Sequence, residues 1–154
     1  AIAEVATYAQ SQGVKAHGMN LGGRYVFPFG SVKFVPALHS SGYEIDGVMT
    51  YMGEASGIIL EAEDKKIYHA GDTALFSDMR LFAKDKSIDV AFLPIGDNYT
   101  MGPEDALEAV SYLNPKITIP IHYNTFPVIQ QNPAIFVEQV VGGKVLNPGE
   151  TILV

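Results

Sequence analysis

Short runs of apolar residues alternating with polar ones dominate the first half of the chain and predict strands. A helix is predicted over 1–12 and ends at Gly13. Strands are predicted at Val14–His17, Tyr25–Phe29, Val32–Leu38, Gly57–Glu63 and Lys65–Ala70. The glycine-rich segment 40–56 is predicted to be a long irregular loop. Loops of that length usually either cover a binding site or are disordered, and the sequence leaves both open.

The second half of the chain alternates strands with helices. Helices are predicted at Asp78–Lys84, Pro103–Leu113 and Pro133–Val141, and strands at Ile88–Ile95, Lys116–Ile121, Lys144–Leu146 and Thr151–Val154. Pro103 followed by Glu104 and Asp105 is typical of a helix start. The continuous apolar strands need cover on both faces. The pattern therefore predicts a mixed α/β (α+β) fold in which helices cover sheets.

Composition narrows the possible functions. The 154 residues suffice for one domain with a hydrophobic core. Because there is no cysteine, disulfides and thiolate-ligated metal sites are excluded, and any metal must be held by histidine and carboxylate. The net charge of −7 argues against bulk electrostatic capture of nucleic acid. No apolar run is long enough for a membrane span and no signal-peptide pattern is visible, so we expect a cytoplasmic protein.

Three polar residues stand where predicted apolar strands end: His39, Asp72 and His122. Strand ends are rigid yet face an open edge, where binding sites are commonly built. Taken singly, such a histidine is more often a hydrogen-bonded structural residue, and Gly71-Asp72-Thr73 is more often only a turn. Together, three such residues in one small chain favour a metal site assembled by folding.

Four further residues are weaker candidates. His17 beside the loop 18–23 could line a pocket, although a structural role is favoured. Asp97 could orient a ligand histidine or simply cap a loop. Tyr123 and Asn124 directly follow His122 and could contact substrate or fix that side chain. His69 lies an odd number of residues before Asp72, so we expect it to be structural or to support the ligands from behind.

Five segments carry a family resemblance: Val35–Gly42, Ile67–Thr73, Leu93–Asp97, Thr100–Ala106 and Ile119–Pro127. In this order they resemble the metallo-β-lactamase family, in particular its small metal-dependent hydrolases (UPF0173-like) related to ascorbate-lactone hydrolases. The resemblance implies an αββα four-layer sandwich. It also implies that His39 binds one metal, Asp72 bridges two, and His122 binds the other.

The same resemblance implies a chemistry. A metal-bound hydroxide would hydrolyse a small-molecule lactone, ester or phosphoester, with Asp72 and His122 as catalytic metal ligands. Antibiotic-cleaving zinc lactamases have cysteine at the bridging position, so Asp72 points away from antibiotics. A hard carboxylate ligand accepts manganese, iron or nickel as well as zinc. Two rivals stay open: a non-catalytic binding module on the same fold, and a nuclease of the same fold.

The family's remaining ligands come from a His-x-His-x-Asp-His motif that this chain lacks. We therefore expect residues 1–154 to be the C-terminal two-thirds of one domain, incomplete at its N-terminal side. An intact domain would hold two divalent metals, whereas the fragment alone would be inactive and could lack metal altogether. An incomplete sheet leaves an open edge, so we also expect a homo-oligomer.

Overall fold

The computed structural model describes residues 1–154, in which short strands outnumber helices. The helices are α1 (Ala3–Ser11), α2 (Pro103–Leu113) and α3 (Pro133–Glu138), with 3₁₀ helices at Ser77–Leu81 and Pro127–Ile129. The strands are β1 (Arg24–Phe27), β2 (Gly30–Pro36), β3 (Gly42–Ile45), β4 (Val48–Tyr51), β5 (Ser56–Ala62), β6 (Lys65–His69), β7 (Val90–Pro94) and β8 (Ile117–Ile121). None of the helices has the length and apolar character that crossing a bilayer requires.

Six of the strands form one mixed sheet in the order β1-β2-β5-β6-β7-β8. The pairs β1–β2, β2–β5 and β5–β6 are antiparallel, and the pairs β6–β7 and β7–β8 are parallel. Because two antiparallel steps separate β2 from β6, both run in the same direction, as do β7 and β8. The segments that follow these four strands therefore all leave the sheet at one edge.

The segment 40–56 differs from the predicted irregular loop. It contains a separate two-stranded sheet, β3–β4, in which Gly42 pairs with Tyr51 and Ile45 with Val48. Asp46 and Gly47 at its tip both have positive φ, 50° and 79°. Two-residue hairpin turns need this left-handed conformation, and Asp-Gly is among the sequences that adopt it most readily. The prediction was wrong because the three glycines were weighed together and the Asp-Gly signal was missed.

Three short strands predicted near the chain ends are also wrong. Residues 14–17 form no strand; Met19 makes an isolated bridge with Ile2, and the amino group of Ala1 donates to the His17 carbonyl at 3.0 Å. Residues 144–146 and 151–154 are likewise irregular. Gly142 and Lys144 instead exchange backbone hydrogen bonds with Thr118 on the free edge of β8.

Two predicted helices are shorter than expected. Residues 78–84 contain only the 3₁₀ helix Ser77–Leu81 followed by turns, and α3 ends at Glu138. The residues after α3 include Val140 and Val141, whose β-branched side chains lose rotamer freedom in a helix. By contrast, α2 has the predicted bounds and is closed by Asn114 in the left-handed conformation.

The main core lies between the sheet and the segments that follow β6 and precede β8. Val35, Ile59, Tyr68, Ala91 and Leu93 point to this face and are all buried. They pack against buried residues of the 3₁₀ helix, its flanks and α2, namely Met79, Phe82, Ile88, Met101, Ala109 and Leu113. A second cluster joins α2 to α3. The centre of this face of the sheet is therefore covered by α2, the first 3₁₀ helix and the turns that follow it.

The opposite face of the sheet is apolar but poorly covered. Alternate residues on five strands point there, and we call them the open apolar face: Val32, Phe34, Ile58, Leu60, Ile67, Val90, Phe92, Pro94, Ile117, Ile119 and Ile121, of which Phe34, Val90, Pro94 and Ile119 are buried. Most are only half-buried, and Ile58 is 37% exposed. The N-terminal segment and the loops that flank the β3–β4 hairpin lie beside it, since Val5, Ser41 and Met52 share a cavity with Phe34 and Ile58. The chain thus has the mixed α/β class predicted from the sequence, with one large sheet and one helical layer.

Candidate metal centre

The four strands that end at one edge of the sheet bring four candidate residues to that edge. His39 follows β2, Asp72 follows β6, Asp97 follows β7 and His122 follows β8. Since β6 lies between β2 and β8 in the sheet, Asp72 lies between the two histidines. The strand-end reasoning from the sequence is therefore correct about where these residues gather.

Asp72 and His122 come together across the edge. His122 Nε2 lies 3.5 Å from Asp72 Oδ2, and the side chains are 23% and 47% exposed, respectively. His122 has φ +54°, so the chain turns sharply as β8 ends. Gly96 packs so closely that a Cβ there would overlap the His122 carbonyl oxygen and lie 3.2 Å from its Nδ1. That Nδ1 is buried and has no hydrogen-bond partner.

The Thr73 hydroxyl connects the loop of Asp72 to the loop of His39. It accepts a hydrogen bond from the Leu38 N–H at 2.9 Å and donates to the Ala74 carbonyl at 2.8 Å. The Ala74 N–H in turn donates to the Leu38 carbonyl at 3.1 Å. Thr73 is fully buried. The sequence predicts Thr73 only as part of a turn, although a hydroxyl directly beside a predicted ligand indicates a possible supporting role.

His39 lies near Asp72 without completing a three-ligand cluster. Both residues line a cavity of about 520 Å³. His39 is exposed, and its Nδ1–H donates to the Ser40 carbonyl at 2.8 Å. Four strand spacings separate β2 from β8, about 19 Å at roughly 4.8 Å each. The two histidines therefore stand on opposite sides of Asp72, and nowhere do three His, Cys, Asp or Glu side chains converge closely enough to hold a metal ion.

Two of the weaker candidates contact neither Asp72 nor His122. His17 is exposed and stacks on Tyr25 at 4.0 Å between ring centroids, in an aromatic group that continues to Phe27 and Phe29. Asp97 is exposed and accepts a hydrogen bond from the Asn98 N–H at 2.8 Å, with no contact to a histidine. The structure therefore favours the loop-capping interpretation of Asp97.

The two residues after His122 have partners of their own. Tyr123 packs against the apolar cluster between α2 and α3, and burial raises the pKa of its hydroxyl. Asn124 accepts the Gln131 N–H through its side chain at 2.8 Å and donates its own N–H to the Ile129 carbonyl. Both residues fix the loop that follows β8, and through it the backbone of His122.

His69 supports the turn that precedes Asp72. Its ring stacks on Phe92 with centroids 5.6 Å apart, and its Nδ1 accepts the Gly71 N–H at 3.1 Å. Burial lowers the pKa of His69, while the negative charge of Asp72 opposes that shift. A neutral ring with its proton on Nε2 suits the Gly71 hydrogen bond, which agrees with the structural role expected from the sequence.

The chemistry of the pair fits a divalent cation, although only as part of a ligand set. Imidazole and carboxylate are ordinary ligands for zinc and for similar borderline cations. Both side chains are accessible from the edge of the sheet, and neither is held by a competing ion pair. Catalytic metal sites usually take three protein ligands, and these 154 residues bring two to one point.

Comparison with known proteins identifies the family of the chain. Residues 2–123 match the model of the beta-lactamase superfamily domain. The chain is 97% identical to a UPF0173 metal-dependent hydrolase of Enterococcus faecalis, covering all of this chain and 69% of that protein. It is 54% identical over 153 residues to a UPF0173 metal-dependent hydrolase of Bacillus cereus, covering 97% of this chain and 67% of the other.

A solved structure confirms the fold class. Igni18, described as a novel metallo hydrolase from the archaeon Ignicoccus hospitalis, superposes with a TM-score of 0.86 at 35% identity. The match covers 98% of this chain and 66% of Igni18, so this chain spans just under two thirds of that protein's length. On the sequence match, the fold and the relatives together, the chain belongs to the beta-lactamase superfamily and, within it, to the UPF0173 group.

Proposed function

We propose that this chain supplies part of the metal site of a hydrolase, with Asp72 and His122 as ligands of a divalent cation. The 3.5 Å approach of these two side chains, from strands that are not neighbours, is the observation that carries the proposal. His39, on the other side of Asp72, would bind a second cation, so that Asp72 bridges the two. The relatives' description as metal-dependent hydrolases supports this assignment.

The roles of the chain's own residues follow from their contacts. A bound divalent cation would polarise the bond to be cleaved and acidify a coordinated water to a pKa of about 7. Asp72 supplies the negative charge between the two histidines. Thr73 holds the Asp72 and His39 loops at a fixed separation, and the close packing of Gly96 fixes the His122 backbone. Ligands from outside these 154 residues would complete the coordination.

The cavity beside Asp72 suggests the kind of substrate. Its walls combine the apolar residues Ile58, Met52 and Val5 with the hydroxyls of Ser40 and Ser41. We propose that the substrate is a small-molecule lactone, ester or phosphoester. Its apolar part would lie against these apolar residues, and its polar group would reach the bound cations. Zinc, manganese, iron and nickel all suit a site built from imidazole and carboxylate.

A non-catalytic binding module is the second candidate. It is favoured by the lack of any point where three ligand side chains converge. The same feature leads us to propose that the chain alone is inactive. A nuclease gains no support, since the net charge is −7 and most of the cavity walls beside Asp72 are neutral.

Metal titration separates these candidates. In a full-length relative that carries the same residues, we expect zinc or manganese to bind at two equivalents by calorimetry, with Asp72→Asn and His122→Gln each removing at least one. Asp105→Asn and His17→Gln are matched controls on exposed side chains away from the site and should leave both equivalents. Unchanged metal binding in Asp72→Asn would refute the proposal, and metal binding without hydrolysis of any ester would favour the binding module.

A further inference from the structure

A second cavity lies at the opposite edge of the sheet from Asp72 and His122. It encloses about 260 Å³ beneath the segment 81–85, on the helix-covered face of the sheet. Lys33, in the middle of β2, and Lys66, near the start of β6, both line it. We propose that this cavity binds a small organic oxyanion, a carboxylate or a phosphate, between Lys33 and Lys66.

The first observation that supports this proposal is the buried ammonium of Lys66. Lys66 is only 4% exposed, and its ammonium donates to the carbonyls of Phe82 at 2.6 Å and Lys86 at 3.2 Å. An ammonium has three N–H donors, so one remains for a ligand. No carboxylate lies within 4 Å of it. Burying an ammonium without a carboxylate in contact is costly; Glu61 and Asp85 offset part of that cost from farther away, and a bound anion would remove the remainder.

The second observation is that the charge of Lys33 has no partner. Lys33 lies directly opposite Arg24 in the β1–β2 register, and like charges at such positions repel. The charge of Arg24 is compensated, because its guanidinium donates to Glu61 at 2.5 Å and to Ser31 at 3.0 Å. The charge of Lys33 has no such partner. Lys33 is half-buried and has no carboxylate within 4 Å. An anion in the cavity would supply the missing partner.

The remaining walls define what the anion must carry. Val35, Ile59 and Phe82 give the cavity an apolar side, which suits a short hydrocarbon or ring. The charged lining comprises Lys33, Lys66 and Arg24 against Glu61 and Asp85, an excess of one positive charge. In a chain of net charge −7, this local excess favours an anion over a neutral ligand.

Titration of the purified chain with benzoate, phenyl phosphate and inorganic phosphate tests the proposal. We expect saturable one-to-one binding of benzoate or phenyl phosphate by calorimetry, and the tighter of the two identifies the headgroup. Lys33→Gln should weaken that binding about tenfold, the loss of one charge-assisted hydrogen bond. Lys144→Gln removes an exposed lysine without a side-chain partner and should leave the affinity unchanged.

Three results would overturn the proposal. The first is no saturable binding of either organic probe. The second is equal weakening by Lys33→Gln and Lys144→Gln, which would mean that the chain's overall charge is responsible. The third is binding of inorganic phosphate alone, which would leave the apolar wall without a role. Equal unfolding midpoints of the two variants establish that affinity, and not folding, has changed.

Discussion

Thr73 is fully buried, and its hydroxyl ties the His39 loop to the Asp72 loop by accepting the Leu38 N–H, while it donates to Ala74 within its own loop. Thr73→Val keeps the shape but leaves the partly buried Leu38 N–H without its acceptor. A buried polar group left unpaired costs about 1–3 kcal/mol. We therefore expect the free energy of unfolding, measured with denaturant, to fall by that amount.

Thr73→Ser is the matched control, because it retains the hydroxyl and loses only a methyl group. It should recover most of the stability lost in Thr73→Val. If metal binding depends on the fixed separation of the two loops, metal affinity of a full-length relative should follow the same order. Equal stability of the valine and serine variants would show that the hydroxyl does not connect the loops.

Asp89 provides a pH-dependent contribution to stability. It is buried, and its carboxylate accepts hydrogen bonds from the Lys116 ammonium at 2.7 Å and the Lys66 N–H at 2.8 Å. The Lys116 hydrogen bond, more than any other contact, lowers the pKa of Asp89 below its ordinary value of 3.8. A carboxyl with a lowered pKa in the folded state stabilises that state above the unfolded pKa.

This stabilisation should disappear as the pH falls from about 4 through the lower pKa of folded Asp89. Asp89→Asn cannot titrate, so its unfolding free energy should be lower near neutral pH and depend less on pH below 4. Denaturant unfolding at a series of pH values from 2 to 6 measures both effects. If the unfolding free energy falls equally steeply with pH in both proteins below pH 4, other carboxyl groups are responsible.

At the level of single residues, the sequence predicts where a residue lies along a strand better than it predicts which side chains that residue contacts. His39, Asp72 and His122 could be placed at strand ends because apolar runs stop just before them. Which of them touch depends on strand order, and nothing in the local sequence indicates that β5 inserts between β2 and β6. Tyr123 illustrates the same limit, since its neighbour His122 faces Asp72 while Tyr123 itself packs beneath α3.

The backbone pairing on the free edge of β8 depends on Gly142. Its φ is +74°, and a Cβ there would overlap the Lys116 carbonyl oxygen. Gly142→Ala must therefore both strain the backbone and displace the segment that hydrogen-bonds to Thr118. We expect a loss of more than about 2 kcal/mol in unfolding free energy, since the left-handed conformation alone costs an alanine roughly 1–2 kcal/mol.

Gly149→Ala isolates the backbone part of that loss. Gly149 has φ +90° and nothing within 4 Å of a Cβ, so only conformational strain applies. Its variant should lose about 1–2 kcal/mol at most. If both variants lose the same amount, the close approach to Lys116 contributes nothing and the edge segment is free to move.

Elements with strong local signals could be predicted, and those that depend on tertiary pairing could not. Helix α2 has Pro103 at its start and three buried residues on one side, so its bounds follow from the sequence. The segment 144–146 has the apolar residues of a strand, yet it contributes a single backbone hydrogen bond beside β8, from the Lys144 N–H to the Thr118 carbonyl. A strand needs a neighbour along its whole length, and no local pattern shows whether one exists.

Across the whole molecule, the two faces of the large sheet differ in how much of their surface other segments cover. Helical segments and turns cover the centre of one face, whereas the open apolar face has the N-terminal segment and the loops flanking β3–β4 beside part of it and leaves Ile58 37% exposed. The sequence could not show this asymmetry, because strands of both halves carry apolar residues on both sides. Contiguous apolar surface of this extent marks an interaction site in soluble proteins.

We propose that two copies of the chain associate through their open apolar faces. Sedimentation equilibrium should then show a monomer–dimer equilibrium, and Ile58→Lys should raise the dissociation constant at least about tenfold, because burying an isoleucine contributes about 1.5–3 kcal/mol. Val141→Lys changes a residue that is 93% exposed and lies outside that face, so it should have no effect. If both variants weaken the dimer equally, added charge, rather than the loss of an apolar contact, separates the copies. If the unmodified chain is strictly monomeric, the association is excluded.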